Sequence, residues 1–142
     1  MPDTKAQTQT YQLDAQIGYQ LRLANQKHLE VFARLLPEVT PTQFAVLARL
    51  AEIGEVSQNQ LGRLIHMDAA TTKGVISRLA KKGFVASKAS PTDRRRLLIS
   101  LTESGRDFTR NAIGKAQQIS RETLVNLTEG EAALLTELLD KL

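Results

Sequence analysis

Three consecutive arginines, Arg94, Arg95 and Arg96, follow Asp93 and precede the largely apolar run Leu97-Leu98-Ile99-Ser100-Leu101. A guanidinium presents a planar fork of donors that matches phosphate oxygens and base edges, so three at one tip call for a polyanion. Ser90-Pro91-Thr92-Asp93 is turn chemistry, and Phe84-Val85-Ala86-Ser87-Lys88 before it reads as a strand, which puts the arginines on a two-stranded hairpin. A second group lies upstream: Ala69, Ala70, Thr71, Thr72 and Lys73 open a helix, with Ser77 and Arg78 one to two turns on. Small residues let such a helix sit deep in a major groove and touch thymine methyls. Hydroxyls can donate or accept there, and lysine or arginine can reach guanine or phosphate.

The elements that must position these groups are legible from their punctuation. From Tyr11 to about Leu36, Leu13, Ile17, Leu21, Ala24, His28, Leu29, Val31, Phe32 and Leu35 recur at helical spacing, and Pro37 marks the end. Thr40-Pro41-Thr42-Gln43 combines an N-cap threonine, proline at the first helical position and glutamine at N3. It opens a helix that closes at Gly54, taken as a left-handed stop. Ser57-Gln58-Asn59-Gln60 starts a short helix, His66-Met67 a turn, and Asp68 caps the next helix, which ends at Lys81-Lys82-Gly83. Two short helices a few residues apart are helix-turn-helix anatomy. Thr102 caps a second long helix through Phe108, Ala112, Ala116, Ile119 and Thr123, and Thr128-Glu129-Gly130-Glu131 caps a last one bearing Leu134, Leu135, Leu138, Leu139 and Leu142. The fold expected is mostly α: a winged helix-turn-helix with a two-stranded β wing and long N- and C-terminal helices. It forms one domain over residues 1–142, with helices in 11–36 and 102–142 flanking a lobe at 40–101.

Charge separates the same regions. Residues 57–96 hold nine Lys/Arg against two acids, a net of +7, while the remainder holds ten against thirteen, a net of −3. A basic middle on acidic flanks is the footprint of a phosphate-binding module on a scaffold that binds none, and its bland alternative is a solvated basic surface. Gln58 and Asn59, at the start of a helix, are placed to bind phosphate. Asp93 stands in the wrong field for phosphate and is expected to pair with Arg95 or a neighbour and fix the tip. For Thr71 and Thr72 the competing reading is N-terminal capping. Zero cysteines remove disulfides, thiolate metal sites and thiol redox switches. No nucleophile motif, phosphate loop or metal constellation appears, so neither an enzyme nor a cofactor is expected. With no apolar run long enough to span a bilayer and no apolar leader, the expectation is a cytoplasmic protein without a membrane partner.

Three strings resemble the MarR family of transcriptional regulators. Thr71-Thr72-Lys73-Gly74-Val75-Ile76-Ser77-Arg78-Leu79-Ala80-Lys81-Lys82-Gly83-Phe84-Val85 is similar to its recognition helix running into the first wing strand. Asp93-Arg94-Arg95-Arg96 resembles its wing signature, and Leu101-Thr102-Glu103-Ser104-Gly105 the start of the helix after the wing. The resemblance implies a homodimer whose terminal helices form the dimer core and whose two lobes grip a pseudo-palindromic operator in double-stranded DNA. It also implies that a wing arginine, here Arg95, enters the minor groove, with Arg94 and Arg96 on phosphate or solvated. Repression, and release by small aromatic compounds, are further implications.

The same resemblance implies a ligand pocket between the helical core and the lobe, expected here from Gly18, Tyr19, Leu21, Arg22, Asn25, Gln43, Phe44, Leu47, His66 and Met67. Arg22 would clamp a carboxylate, while Tyr19, Phe44 and Met67 would pack an aromatic ring. Gly18 in mid-helix suggests a close approach of a helix or ligand. The plain alternatives are an ion pair of Arg22 with Asp14 or Glu30, a packing glycine, and histidines that serve only turns or surface. A winged helix used for protein contact, or a DNA binder without an effector, is the competing functional class.

Overall fold

A computed structural model describes residues 10–142. Residues 1–9, part of a polar, Thr- and Gln-containing start to the sequence, lie outside them. A 3-10 turn at Leu13–Ala15 precedes α1 (Ile17–Leu35), and then come α2 (Pro41–Ile53), β1 (Val56–Ser57), α3 (Gln58–Leu64) and α4 (Ala69–Lys81). The wing strands β2 (Val85–Ala89) and β3 (Leu97–Leu101) lead into α5 (Glu103–Thr123) and α6 (Glu129–Asp140). The first helix thus starts later than its apolar period suggests, because Gln16 is extended and interrupts it.

The sheet has three strands in the order β1-β3-β2, all antiparallel, where the sequence pattern shows only the wing pair. Val56 pairs with Ile99 and Ser57 with Leu98, which ties the root of the wing to the start of the helix-turn-helix. Gly54 makes this possible, but not as a left-handed helix stop. Its φ of 75° comes with ψ of −146°, which carries the chain directly from helix into strand.

Side-chain caps start α2 to α6 as their sequences require. Thr40 with Gln43 and Thr128 with Glu131 form complete capping boxes. Ser57, Asp68 and Thr102 each accept an N–H of the first turn. One core joins Val31, Phe32 and Leu36 of the α1 end to Val46, Leu47 and Leu50 of α2, Leu61, Leu79 and Ile99 of the lobe, and Ala112 and Ile119 of α5. Across α1 and α5, Arg34 pairs with Glu122, and His28 Nδ1 lies 3.1 Å from Thr123 Oγ1.

The Leu-Thr-x-x-Gly string has a geometric cause. Thr102 donates its hydroxyl to the Gly83 carbonyl (2.6 Å) and its N–H to Phe84 O (3.0 Å), while its Oγ1 accepts the Gly105 N–H (2.9 Å). These bonds draw α5 so close to the end of α4 that a Cβ on Gly105 would stand 1.9 Å from Phe84 O. Phe84 and Phe108 stack above this junction with centroids 4.5 Å apart.

Candidate nucleic-acid interface and its flanking cavity

Asp68 sets the recognition helix. Its Oδ1 accepts the Thr71 N–H at 2.7 Å, and that bond holds the carboxyl below the usual aspartate range. Beyond the cap, Ala69, Ala70, Thr71, Lys73, Ser77 and Arg78 are exposed. Val75, Ile76 and Leu79 seat the opposite face in the core.

Thr72 departs from expectation. It is 1 % exposed, and its hydroxyl donates to Asp68 O at 2.7 Å. Its helix position, four residues after the cap, points it at α3, where Gly62 leaves room. A Cβ on Gly62 would stand 2.8 Å from Thr72 Oγ1. Thr72 therefore closes the α3–α4 turn and does not face bases. His66 takes φ of 57° in that turn and is exposed, while Met67 packs against the core.

The wing tip is a folded turn. Asp93 Oδ1 accepts the Arg95 N–H and its carbonyl accepts the Arg96 N–H, both at 3.0 Å. Ser90, itself buried, donates its N–H to Arg96 O at 2.9 Å and accepts the Thr92 N–H on Oγ. Asp93 thus fixes the tip through the main chain of Arg95, leaving the guanidinium groups exposed on an ordered loop. Arg95 and Arg96 meet Ser57, Gln58 and Asn59 around a cleft of about 70 Å³. Gln58 and Asn59 meet Arg63 and Ala69 around a second, of about 210 Å³. Of the predicted residues, Gln58, Asn59, Arg95 and Arg96 are thus brought together around one cleft, and Gln58 and Asn59 join Ala69 and the buried Thr72 around the other. Lys82 is spoken for otherwise, since its Nζ donates to Glu38 O at 2.8 Å and holds the end of α4 to the loop after α1.

The predicted ligand set does not assemble in the same way. Leu47 is fully buried in the core, and Gln43 is buried with its Oε1 accepting Thr40 N–H in the capping box. Phe44 packs edge-on to Phe32. A Cβ on Gly18 would meet nothing within 4 Å, so the close approach expected there is absent among the described residues. Leu21, Arg22 and Asn25 are exposed, and Arg22 stands over the Tyr19 ring at 5.4 Å rather than pairing with Asp14 or Glu30.

A cavity of about 470 Å³ opens elsewhere, between the end of α2, the end of β3 and the first turns of α5. Sequence reading misses it because its walls come from residues 50–55 and 100–113, stretches that share no local pattern. Among the described residues there is no cluster that could hold a metal ion, and no helix is long and apolar enough to cross a membrane.

A recognition helix seated on a core, a preceding short helix and an arginine-tipped hairpin define a winged helix-turn-helix regulator. Comparison with known proteins makes this specific. Residues 39–97 match the MarR family. The chain is 34% identical to the HTH-type transcriptional repressor NicR of Pseudomonas putida, over 93% of this chain and 85% of that protein. A probable transcriptional regulator from Pseudomonas aeruginosa superposes with a TM-score of 0.87 at 46% identity, over 92% of this chain and 98% of that one. BpsR of Bordetella bronchiseptica, whose DNA binding is regulated by 6-hydroxynicotinic acid, gives a TM-score of 0.87 at 34% identity, over 92% and 95%. The chain belongs to the MarR family of transcriptional regulators.

Proposed function

We propose that this protein is a homodimeric, sequence-specific DNA-binding repressor released from its operator by a small aromatic effector. The observation that carries the DNA reading is the meeting of Arg95 and Arg96 of the wing with Gln58 and Asn59 of α3 around one cleft, and of those α3 residues with Ala69 of α4 around another. On this reading, Ala69, Ala70, Thr71, Lys73, Ser77 and Arg78 face base edges, Gln58, Asn59, Arg94 and Arg96 face phosphates, and Arg95 enters the minor groove.

Dimerisation is supported by surface. Leu13, Ile17 and Leu21 near the start of α1 and Leu134, Leu135, Leu138 and Leu139 on α6 are among the exposed apolar side chains. A two-fold protein matches a two-fold site. Repression and a small aromatic effector are supported by the repressor NicR and by the 6-hydroxynicotinic acid response of BpsR.

The test is DNA affinity against salt, using a duplex enriched from a random pool. Arg95→Ala costs roughly 1–3 kcal/mol and relaxes preference at the outer positions of the site. Lys81→Ala weakens all sequences alike and lowers the salt slope by about one unit. Wild-type affinity and slope in Arg95→Ala would remove the wing from the interface, and no enrichment at all would favour a protein-contact module.

A further inference from the structure

Three glycines stand where a methyl would crowd a neighbour. Gly62 makes room for the buried Thr72, and Gly105 for the Phe84 carbonyl, so both serve the packing of one element on the next. Gly74, in the middle of α4, has no such duty. A Cβ there would stand 3.3 Å from Arg78 Nη1 and 4.0 Å from its Cζ. Apart from its chain neighbours and its own helix's backbone, nothing else would lie within 4 Å. Glycine in a helix interior is less stable than alanine, so Gly74 weakens α4 and gains no packing within the chain.

What it gains is the placement of Arg78. Helical side chains lean toward the N-terminus, so a long one covers the surface about one turn before its own Cα. Arg78 is exposed and lays its guanidinium over the bare backbone at Gly74, four residues and about 6 Å nearer the start of α4. The N-terminal residues of a recognition helix meet base edges, so this fold-back carries the fork toward the bases. Among the described residues the guanidinium takes part in no hydrogen bond or ion pair, which leaves its five N–H donors open. A planar fork at that level matches guanine, whose O6 and N7 accept two parallel N–H groups.

We propose that Gly74 is a positioning residue for DNA reading: its missing side chain lets Arg78 fold back along α4 and read a guanine. The inference rests on the DNA-binding reading above and adds to it one base and the residue that makes it legible.

The experiment takes the duplex enriched from a random pool and replaces its guanines one at a time by 7-deazaguanine, which lacks the N7 acceptor. With the purified full chain, at least one exchange weakens binding about tenfold. Arg78→Ala weakens the natural duplex by a similar factor and brings that ratio to about one. Gly74→Leu keeps a strong helix former at the position but fills the guanidinium's place, so it too lowers the ratio toward one. A leucine that merely crowded the DNA would weaken both duplexes alike and leave the ratio unchanged. Gly74→Ala melts a few degrees above wild type, because the glycine does not serve the fold.

A ratio that survives Gly74→Leu overturns the role of Gly74, and one that survives Arg78→Ala overturns the guanine assignment. Insensitivity of every guanine also overturns it, and a salt slope lower by about one unit in Arg78→Ala would then make Arg78 a phosphate contact. A Gly74→Ala protein that melts below wild type would assign the glycine to folding and overturn its positioning role. Failure of any duplex to enrich refutes the DNA reading itself, and this inference with it.

Discussion

In the lobe, Val46, Leu47, Leu61, Leu79 and Ile99 have no accessible surface, whereas α6 contains no buried residue and its leucines lie open. Both regions carry ordinary helix signals, and both helices have good caps. The difference is what each packs against. The lobe's residues share one closed core with the end of α1 and with Ala112 and Ile119 of α5. Among the described residues nothing buries the apolar face of α6, so its stability as a packed element depends on another surface. A single chain therefore joins a part with a closed core to a part whose apolar face is open, the face that the proposed dimer would cover.

That contrast can be broken at its strongest point first. Leu138→Asp on α6 removes apolar burial from both halves of the proposed two-fold interface and adds a charge to each. The expected rise in dimer Kd is on the order of 10²-fold or more, read by analytical ultracentrifugation. Hydrogen-exchange protection of the lobe's buried amides should persist at protein concentrations where the dimer is lost. A Leu138→Asp dimer of unchanged affinity would place the interface elsewhere.

Next in size is a change that strikes the lobe's own closure. Gly105→Ala drives a Cβ into Phe84 O, so the start of α5 must move off the end of α4. Urea unfolding should show a loss of about 3 kcal/mol, because backbone and not a flexible side chain blocks the methyl. A near-neutral Gly105→Ala would mean that the α4–α5 junction has slack, and the lobe would be less self-sufficient than its burial implies.

The smallest effect sharpens the comparison within the lobe. The Asp68 carboxyl is lowered by its bond from the Thr71 N–H. A lowered folded-state value means the cap's contribution is present above the ordinary aspartate value and is lost as pH falls from there through the lowered one. Asp68→Asn should flatten this part of the stability–pH curve while keeping the cap, measured as melting temperature across the acid range. An unchanged acid slope would assign the pH dependence to other carboxylates.

Much of the fold is legible because it is written locally. Thr40, Ser57, Asp68, Thr102 and Thr128 each start a helix through a bond to a main-chain N–H three residues on, a span that sequence displays directly. The wing is legible for the same reason, down to Asp93 bracing its tip, although the partner is the main chain of Arg95. The third strand is not, since two residues carry no period and Val56–Ser57 becomes a strand only by meeting β3. Thr72 escapes a local reading because a residue in a helix's first turn can face groove or neighbouring helix, and only the position of Gly62 decides which.

The candidate sites divide along the same line. Sequence alone determined the caps, the helix-turn-helix, the hairpin and the concentration of basic charge, all set by interactions within a few residues. Tertiary structure alone decided that Leu47 and Gln43 are interior, that Gly18 has open space around it, and that the cavity draws Glu55 together with Arg106 and Arg110. Which residues share a wall depends on how distant segments pack. That is fixed by burial of the whole apolar surface at once, not by any local spacing.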